Sequence, residues 1–277
     1  MQDMEGTGTA EKMKKRDGDE GSKKQDPVGI FDSGVGGISV VREIVRILPS
    51  ENLYVFGDSQ NAPYGSRTLE EVRSLTLSHV ETMICEKSVK AVVVACNTAT
   101  SAAIASLRER YREIPMIGIE PALKPAAMLK HHGKVLVLAT EMTIREEKYH
   151  ELAKRFSDQA ELIPLPAPQI VTLVEEGKQD SEEMDAYLAD LFEPYRRYGI
   201  DAVVLGCTHF PFARNAIRRY WGERVRIFDG AEGTARELKR RLTENDLRNP
   251  SEGRGKIVLE NSGGREKIRL SERLLGL

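Results

Sequence analysis

The sequence predicts an α/β fold of two similar domains, each a mainly parallel sheet flanked by helices. From Pro27 onward, short apolar runs of strand length alternate with amphipathic stretches of helical spacing, which is typical of βαβ units. This alternation occurs twice, since Val28 and Val135, which lie in the opening strands of the two halves, are 107 residues apart. Two strand-end cysteines, Cys96 and Cys207, are 111 residues apart, so the register of the halves nearly coincides.

The individual elements follow from apolar periodicity and from turn residues. In the first half, strands are predicted at 28–34, 52–59, 90–97 and 115–122, and helices at 38–48, 68–87 and 98–111. In the second half, strands are predicted at 134–140, 160–168, 201–208 and 224–230, and helices at 146–156 and roughly 181–198. Thr68 and Glu71 have the spacing of a capping box at the start of the long first-half helix. A further helix begins at Ala231, and the polar tail after it is left unassigned.

The composition limits the classes of function. The chain has 277 residues, 40% of them hydrophobic and 30% charged, which is ordinary for a soluble globular protein. The net charge of −2 gives no basic surface for nucleic acid, and no apolar run approaches the ~20 residues of a membrane helix. Residues 1–26 are polar and predict a disordered extension without a secretory signal. Three cysteines are an odd number for a disulfide framework, which predicts reduced thiols in a cytoplasm.

Polar clusters follow four of the predicted strands. They are Asp32-Ser33 with the glycines of GVGG, Pro63-Tyr64-Gly65, Cys96-Asn97-Thr98 and Cys207-Thr208-His209. Ligands of parallel α/β sheets bind at the carboxyl ends of strands, so these clusters are candidate site residues. The glycine-rich turn can present backbone N–H groups to a carboxylate or phosphate, but it lacks the spacing of a nucleotide-binding loop. Two cysteines and one histidine outside any metal-ligand spacing do not predict a metal site.

The cysteines have a structural and a chemical interpretation. A cysteine at the end of a buried strand is more often a packing residue, and Cys85, inside an amphipathic helix, fits that interpretation. Cys96 and Cys207 differ because each lies at a strand-to-helix junction, where the helix N-terminus favours a thiolate. His209, two positions after Cys207, is a candidate proton partner. If the two halves pack face to face, two opposed thiols suit a racemisation, in which one face of a carbon loses a proton and the other gains one.

The ordered sequence blocks resemble a known family. Residues 27–235 resemble the cofactor-independent aspartate/glutamate racemase superfamily, and within it the glutamate racemases. The matching blocks are GIFDSGVGG, DSQNAPYG, VVVACNTAT, GIEPALKPA, VLVLAT, VTLVEEG and VVLGCTHFP. The resemblance implies two domains related by pseudo-twofold symmetry, with the active site between them. It places 27–119 with 230–277 in the first domain and 120–229 in the second, after the extension at 1–26.

The resemblance also implies the roles of the site residues. Cys96 and Cys207 are expected to be the acid/base pair that interconverts L- and D-glutamate, which bacteria use for peptidoglycan synthesis. Asp32 is expected to assist Cys96, while His209 and Glu175 assist Cys207. The residues expected to bind the substrate are Asp32, Ser33, Tyr64, Gly65, Asn97, Thr98, Thr208 and His209. No cofactor or metal is expected, and a homodimer is left open.

Two alternatives remain at this point. One is a related racemase that acts on aspartate or a hydantoin, and the other is a dicarboxylate-binding protein without catalysis. No arginine or lysine lies inside the cysteine motifs, so backbone N–H groups and hydroxyls are expected to bind the carboxylates. The chain departs from the family pattern at Ala167-Pro168, where a Cys-Pro is common, and at Glu141 and Met142, where glycine is common. These departures concern loop conformation and regulation.

Overall fold

The computed structural model describes residues 20–277, which form two parallel sheets flanked by helices. The strands are β1 (Val28–Asp32), β2 (Leu53–Gly57), β3 (Ala91–Val94), β4 (Met116–Gly118), β5 (Gly133–Ala139), β6 (Ala160–Pro166), β7 (Ala202–Leu205), β8 (Arg226–Asp229) and β9 (Ile257–Asn261). The α-helices are α1 (Glu20–Gln25), α2 (Ile38–Ile47), α3 (Leu69–Lys87), α4 (Asn97–Arg110), α5 (Leu123–Ala127), α6 (Glu141–Arg145), α7 (Glu147–Lys154), α8 (Pro168–Glu175), α9 (Glu182–Phe192), α10 (Arg214–Trp221), α11 (Ala231–Glu244) and α12 (Arg265–Leu275). Short 3-10 helices cover Tyr64–Ser66, Glu193–Tyr195 and Phe210–Ala213.

The strand order shows that the two halves are built alike. The first sheet has the order β4-β3-β1-β2-β9 and the second the order β6-β5-β7-β8, and all neighbouring strands are parallel. The series β4-β3-β1-β2 therefore corresponds, strand for strand, to β8-β7-β5-β6. Cys96 follows β3 and Cys207 follows β7, so the cysteines come from equivalent positions. The predicted fold of two parallel α/β sheets is confirmed.

Burial explains why the sequence signals for the central strands are strong. Every residue of β1, β3 and β7 is buried, which requires the continuous apolar runs that predict strands covered on both faces.

The predicted capping box is also present at the start of α3. The side chain of Thr68 accepts a hydrogen bond from the backbone N–H of Glu71, and the Glu71 carboxylate accepts one from the backbone N–H of Thr68. Both contacts satisfy N–H groups that a helix start leaves without partners.

The C-terminal segment, unassigned from sequence, forms β9 and α12. Strand β9 pairs with β2 at the edge of the first sheet, and α12 buries Leu270 and Leu274 in the core. The strand escapes sequence prediction because it is only half-buried and ends in the polar residues Glu260 and Asn261. The short helices α5, α6, α8 and α10, which have at most eight residues each, are also not predicted from the sequence. The residue boundaries of the two domains stay predictions.

The structure differs from the prediction of disorder at the end of the N-terminal extension. Residues 20–25 form α1, which is fixed because Lys90 donates to the carbonyl oxygen of Lys24 and Asn52 donates to that of Gln25. Lys24 also forms an ion pair with Asp246. The rest of the predicted extension lies outside the described residues. Within the described part of the chain, no helix is long and apolar enough to cross a membrane.

Candidate active site

Cys96 lies where β3 ends and α4 begins. It is the N-cap residue of α4, and its Sγ accepts a hydrogen bond from the backbone N–H of Ala99 at 3.5 Å. The hydroxyl of Ser33, from the loop after β1, donates to the same sulfur at 3.3 Å. Only 4% of Cys96 is exposed. The thiol is therefore buried and is held in place by two hydrogen-bond donors.

The surroundings of Cys96 favour its protonated form. Burial raises the pKa of the Cys96 thiol to about 12, and the negative charge of Asp32 contributes in the same direction. The hydrogen bond from Ser33 opposes this rise without cancelling it. The charge of Cys207 acts in the same direction as burial. Cys96 is thus a thiol that holds its proton.

Cys207 has a different partner. Its Sγ lies 3.7 Å from Nδ1 of His209, whose Nε2 lies 2.8 Å from Oε1 of Glu175. Burial alone would lower the pKa of His209, but the hydrogen bonds and charges of Cys207 and Glu175 raise it well above its usual value. A buried imidazolium therefore lies next to the sulfur. Nδ1 of His209 is therefore placed to exchange a proton with the sulfur of Cys207.

Glu175, the last residue of α8, is the third residue in the series of contacts Cys207–His209–Glu175. Its Oε1 accepts a hydrogen bond from the backbone N–H of Val35 at 2.7 Å, and its Oε2 accepts one from the hydroxyl of Ser59 at 3.1 Å. Nζ of Lys267 lies 2.9 Å from the same Oε2. Burial would raise the pKa of Glu175, but the contacts with His209, Lys267 and Val35 lower it to about 2. Glu175 is therefore an ionised carboxylate in contact with Val35, Ser59, His209 and Lys267.

Asp32, the last residue of β1, is almost completely buried. Its Oδ1 accepts from the backbone N–H of Gly34 at 2.9 Å, and its Oδ2 accepts from the hydroxyl of Thr208 at 2.8 Å. Burial raises the pKa of Asp32 to about 6, although the charge of His209 and the Thr208 hydrogen bond lower it. A carboxyl group with this pKa can exchange a proton near neutral pH.

The glycine-rich loop after β1 lets the two halves approach each other closely. A Cβ atom on Gly36 would lie 2.5 Å from Nδ1 of His209 and 2.6 Å from Oγ1 of Thr208, so only glycine fits there. A Cβ atom on Gly34 would overlap Oε1 of Glu175. In the same region, Ser39 donates to the carbonyl oxygen of Thr208 at 2.8 Å. The loop thus fits directly against the histidine and carboxylate from the other half.

The structure brings most of the predicted substrate-binding residues to this region, with different contacts. Tyr64 donates its hydroxyl to Oδ2 of Asp58 at 2.7 Å, and burial followed by this contact raises the pKa of Tyr64. The Thr98 hydroxyl lies 3.1 Å from the Thr140 hydroxyl, and a Cβ atom on Gly65 would lie 2.8 Å from Cβ of Thr140. Oδ1 of Asn97 is buried and has no hydrogen-bond partner among the described residues. Asn97 therefore has an acceptor available for a ligand.

Several residues of this network were not selected from the sequence. They are Asp58, Ser59, Thr140, Thr143 and Lys267. Thr140 and Asp58 each follow the carboxyl end of a strand, the criterion that selects the cysteine clusters, and applying it to β5 and β2 would have found them. Lys267 has no such signal, because its contact depends on how the C-terminal helix folds back.

Two cavities border the site. One of about 790 Å³ lies beside Ser39 and Phe212, and one of about 220 Å³ reaches Asn97 and Thr143. Neither is lined by Cys96 or Cys207, both of which are buried. In residues 20–277 there is no group of three or more histidine, cysteine and acidic side chains arranged to hold a metal ion. The cysteines themselves are therefore enclosed by protein groups.

Comparisons with known proteins identify the family of the chain. The family model of the Asp/Glu/Hydantoin racemases matches residues 28–238. A glutamate racemase of Clostridium botulinum is 47% identical over 254 residues, which cover 91% of this chain and 98% of that protein. The crystal structure of a glutamate racemase isoform from Bacillus anthracis superposes with a TM-score of 0.82 at 34% identity, covering 92% of this chain and 95% of that one. A Francisella tularensis glutamate racemase, solved in complex with D-glutamate, has a TM-score of 0.79 at 26% identity, covering 92% and 95% of the two chains. The predicted resemblance is confirmed, and the chain belongs to the Asp/Glu/Hydantoin racemase family.

Proposed function

We propose that this chain is an enzyme that interconverts L-glutamate and D-glutamate by proton transfer between two cysteines and the α-carbon. Its family and the glutamate racemase activity named for its relatives support this function. The observation that carries the mechanism is the pair of buried thiols, Cys96 and Cys207, at the ends of the equivalent strands β3 and β7. Two such groups can serve the two faces of one carbon atom.

The two thiols have complementary electrostatic surroundings. Burial and the nearby Asp32 favour the neutral thiol of Cys96. His209, held by Glu175, lies 3.7 Å from the sulfur of Cys207 and can take up its proton. One base and one acid on opposite faces are the form that a two-base racemisation needs in order to start. The arrangement supports Cys207 as the base for one enantiomer and Cys96 as the acid.

Two proton transfers invert the α-carbon. The thiolate of Cys207 removes the α-proton of L-glutamate, and the electrons of the C–H bond remain on the α-carbon as a carbanion. The S–H group of Cys96 then donates its proton to the opposite face, which gives D-glutamate. Cys207 is now the thiol and Cys96 the thiolate, which is the form that accepts D-glutamate for the reverse reaction.

The same residues can bind the substrate and stabilise the carbanion. An ordinary thiol, with a pKa of about 8.5, is a weak base for an α-hydrogen, so the site must stabilise developing negative charge. The N-terminus of α4 provides backbone N–H groups next to Cys96, and the Asn97 oxygen can accept a hydrogen bond from the substrate ammonium group. Since the hydroxyls of Tyr64 and Thr208 already donate to carboxylates, we propose that these residues bind through their backbone N–H groups.

Turnover of glutamate compared with aspartate tests this function. Purified protein is incubated with each L-amino acid, and the D-enantiomer is measured by chiral chromatography. We expect kcat/KM to be roughly tenfold or more higher for glutamate, the discrimination that one methylene provides in a fitted site. Equal or better turnover of aspartate would favour the related racemase. Binding of glutamate without formation of D-glutamate would favour a dicarboxylate-binding protein.

We further propose that the product supplies peptidoglycan synthesis in a bacterial cytoplasm, as the resemblance implies. A homodimer stays a prediction, and analytical ultracentrifugation with and without glutamate tests it.

A further inference from the structure

Lys267, on the C-terminal helix, contacts Glu175, which contacts His209, the neighbour of Cys207. It lies on α12, beyond residues 28–238 matched by the family model. Its Nζ lies 2.9 Å from Oε2 of Glu175 and donates to the backbone carbonyl oxygen of the same residue at 2.6 Å. This carbonyl ends α8, where a cation is favoured by the helix dipole. One ammonium group thus fixes both the side chain and the backbone of Glu175.

The position of Lys267 is fixed by the fold of the C-terminal segment. Leu270 and Leu274 bury one face of α12 in the core, and β9 pairs with β2. At the end of β9, Asn261 donates to the hydroxyl of Ser59 at 3.1 Å, and Ser59 donates to Oε2 of Glu175. The segment therefore reaches the carboxylate by two routes, one ionic and one through a hydroxyl.

Positive and negative groups alternate from Lys267 through Glu175 to His209. The Lys267 ammonium holds Oε2 of Glu175, while Oε1 of that carboxylate faces His209, whose imidazolium lies next to Cys207. Without Lys267, the carboxylate could rotate and leave His209 less firmly oriented. Cys96 has no connection of this kind among the described residues, because its contacts come from Ser33 and Ala99. Lys267 is therefore linked to Cys207 through Glu175 and His209, two residues that do not contact Cys96.

We propose that Lys267 is a positioning residue for the Cys207 half of the reaction, acting through Glu175 and His209. This inference rests on the proposed function. A lysine that merely fastened α12 to the protein would support both thiols equally. The distinguishing property is thus a selective effect on Cys207.

The test measures each thiol separately. A variant with only one catalytic cysteine can exchange the α-proton of one enantiomer with solvent without inverting it. Both tests are done in heavy water. In the first, Lys267→Met is combined with Cys96→Ala, so that only Cys207 remains and L-glutamate is labelled. In the second, Lys267→Met is combined with Cys207→Ala, so that only Cys96 remains and D-glutamate is labelled. We expect the first labelling rate to fall by roughly tenfold to hundredfold, the cost of a misplaced catalytic group. We expect the second to change by less than about twofold, as for an independent site.

Controls separate position from stability. Lys267→Arg keeps the positive charge and should restore most of the lost labelling. Lys256→Met makes the same exchange at an exposed lysine of the C-terminal segment and should change neither rate. Equal loss of both rates, loss only on the Cys96 side, or no loss on either side would overturn the proposal.

A second readout does not depend on racemase activity. The rate of alkylation by iodoacetamide at Cys96 and Cys207 is followed by peptide mass spectrometry in the otherwise unaltered protein and in Lys267→Met. If Lys267→Met slows alkylation at Cys207 but not at Cys96, the proposal is supported. If it changes both rates by the same factor, or neither rate, the proposal is contradicted. If the single-cysteine variants label neither enantiomer, the proposed function fails, and the alkylation rates still decide the role of Lys267.

Discussion

The hydroxyl of Thr208 donates a hydrogen bond to Oδ2 of Asp32 across 2.8 Å, so the loop that carries one cysteine contacts the carboxylate near the other. A second contact joins the two halves, and here the donor comes from the first half: the backbone N–H of Val35 donates to Glu175. Each predicted helper carboxylate is thus held partly by the other half of the molecule. The position of each carboxylate therefore depends on contacts from both halves.

Replacement of the buried Asp32 carboxylate should make the protein more stable at high pH while lowering its activity. The folded pKa of about 6 is above the ordinary value of 3.8, so the ionised group is disfavoured by folding. Stability from the protonated group is complete below pH 3.8 and is lost as the pH rises through 6. Asp32→Asn removes this loss, so its free energy of unfolding relative to the unaltered protein should rise by up to about 3 kcal/mol between pH 4 and pH 8.

Urea unfolding at pH 4 and pH 8 measures this difference, and racemisation assays should show a fall in kcat. A variant that loses stability more at pH 8 than at pH 4 would contradict the assigned cause of the shift.

Gly36→Ala should abolish most activity because its Cβ atom would meet His209 and Thr208. We expect kcat/KM to fall by roughly a hundredfold, since displacement of the histidine misplaces the proposed proton partner of Cys207. The matched control is Gly233→Ala on α11, where a Cβ atom meets nothing within 4 Å. This control should keep full activity and gain about 1 kcal/mol of stability, because alanine is the better helix residue. Native activity in Gly36→Ala would show that the close approach does not matter.

Two truncations test which part of the N-terminal extension contributes to the fold. Deletion of residues 1–19 should leave the melting temperature and activity unchanged. Deletion of residues 1–24 removes the Lys24 contacts with Lys90 and Asp246 and should lower the melting temperature. Racemase activity should persist in both truncated proteins, because the site residues lie elsewhere. A large loss of kcat in the shorter deletion would place the extension in the site or in a regulatory contact.

Activity should not depend on a metal ion or on pyridoxal phosphate. The proposed mechanism uses two thiols, and the sequence contains no nucleotide fingerprint or metal-ligand spacing. Dialysis against EDTA and treatment with hydroxylamine, under reducing conditions, should leave kcat unchanged. Recovery of a lost activity by added metal or pyridoxal phosphate would refute this part of the mechanism.

The sequence predicts the fold and the cysteine clusters well because both depend on local patterns. Continuous apolar runs indicate the buried strands, and polar residues directly after them indicate the site, as at Cys96 and Cys207. The C-terminal segment is different, since β9 is half-buried and its pairing with β2 joins residues about 200 apart in the chain. The contact of Lys267 with Glu175 depends on that pairing, and no local pattern predicts it.

The most direct test of the opposed-thiol mechanism is α-deuterium labelling by the two single-cysteine variants in heavy water. Replacing either Cys96 or Cys207 with alanine should stop racemisation in both directions, since one face loses its acid or base. The remaining thiol can still remove a proton, exchange it with solvent and return deuterium to the same face. Cys207→Ala should therefore label D-glutamate without inversion and leave L-glutamate unlabelled, while Cys96→Ala should show the opposite preference. Equal labelling of both enantiomers by one variant, or near-native racemisation by either, would contradict the account.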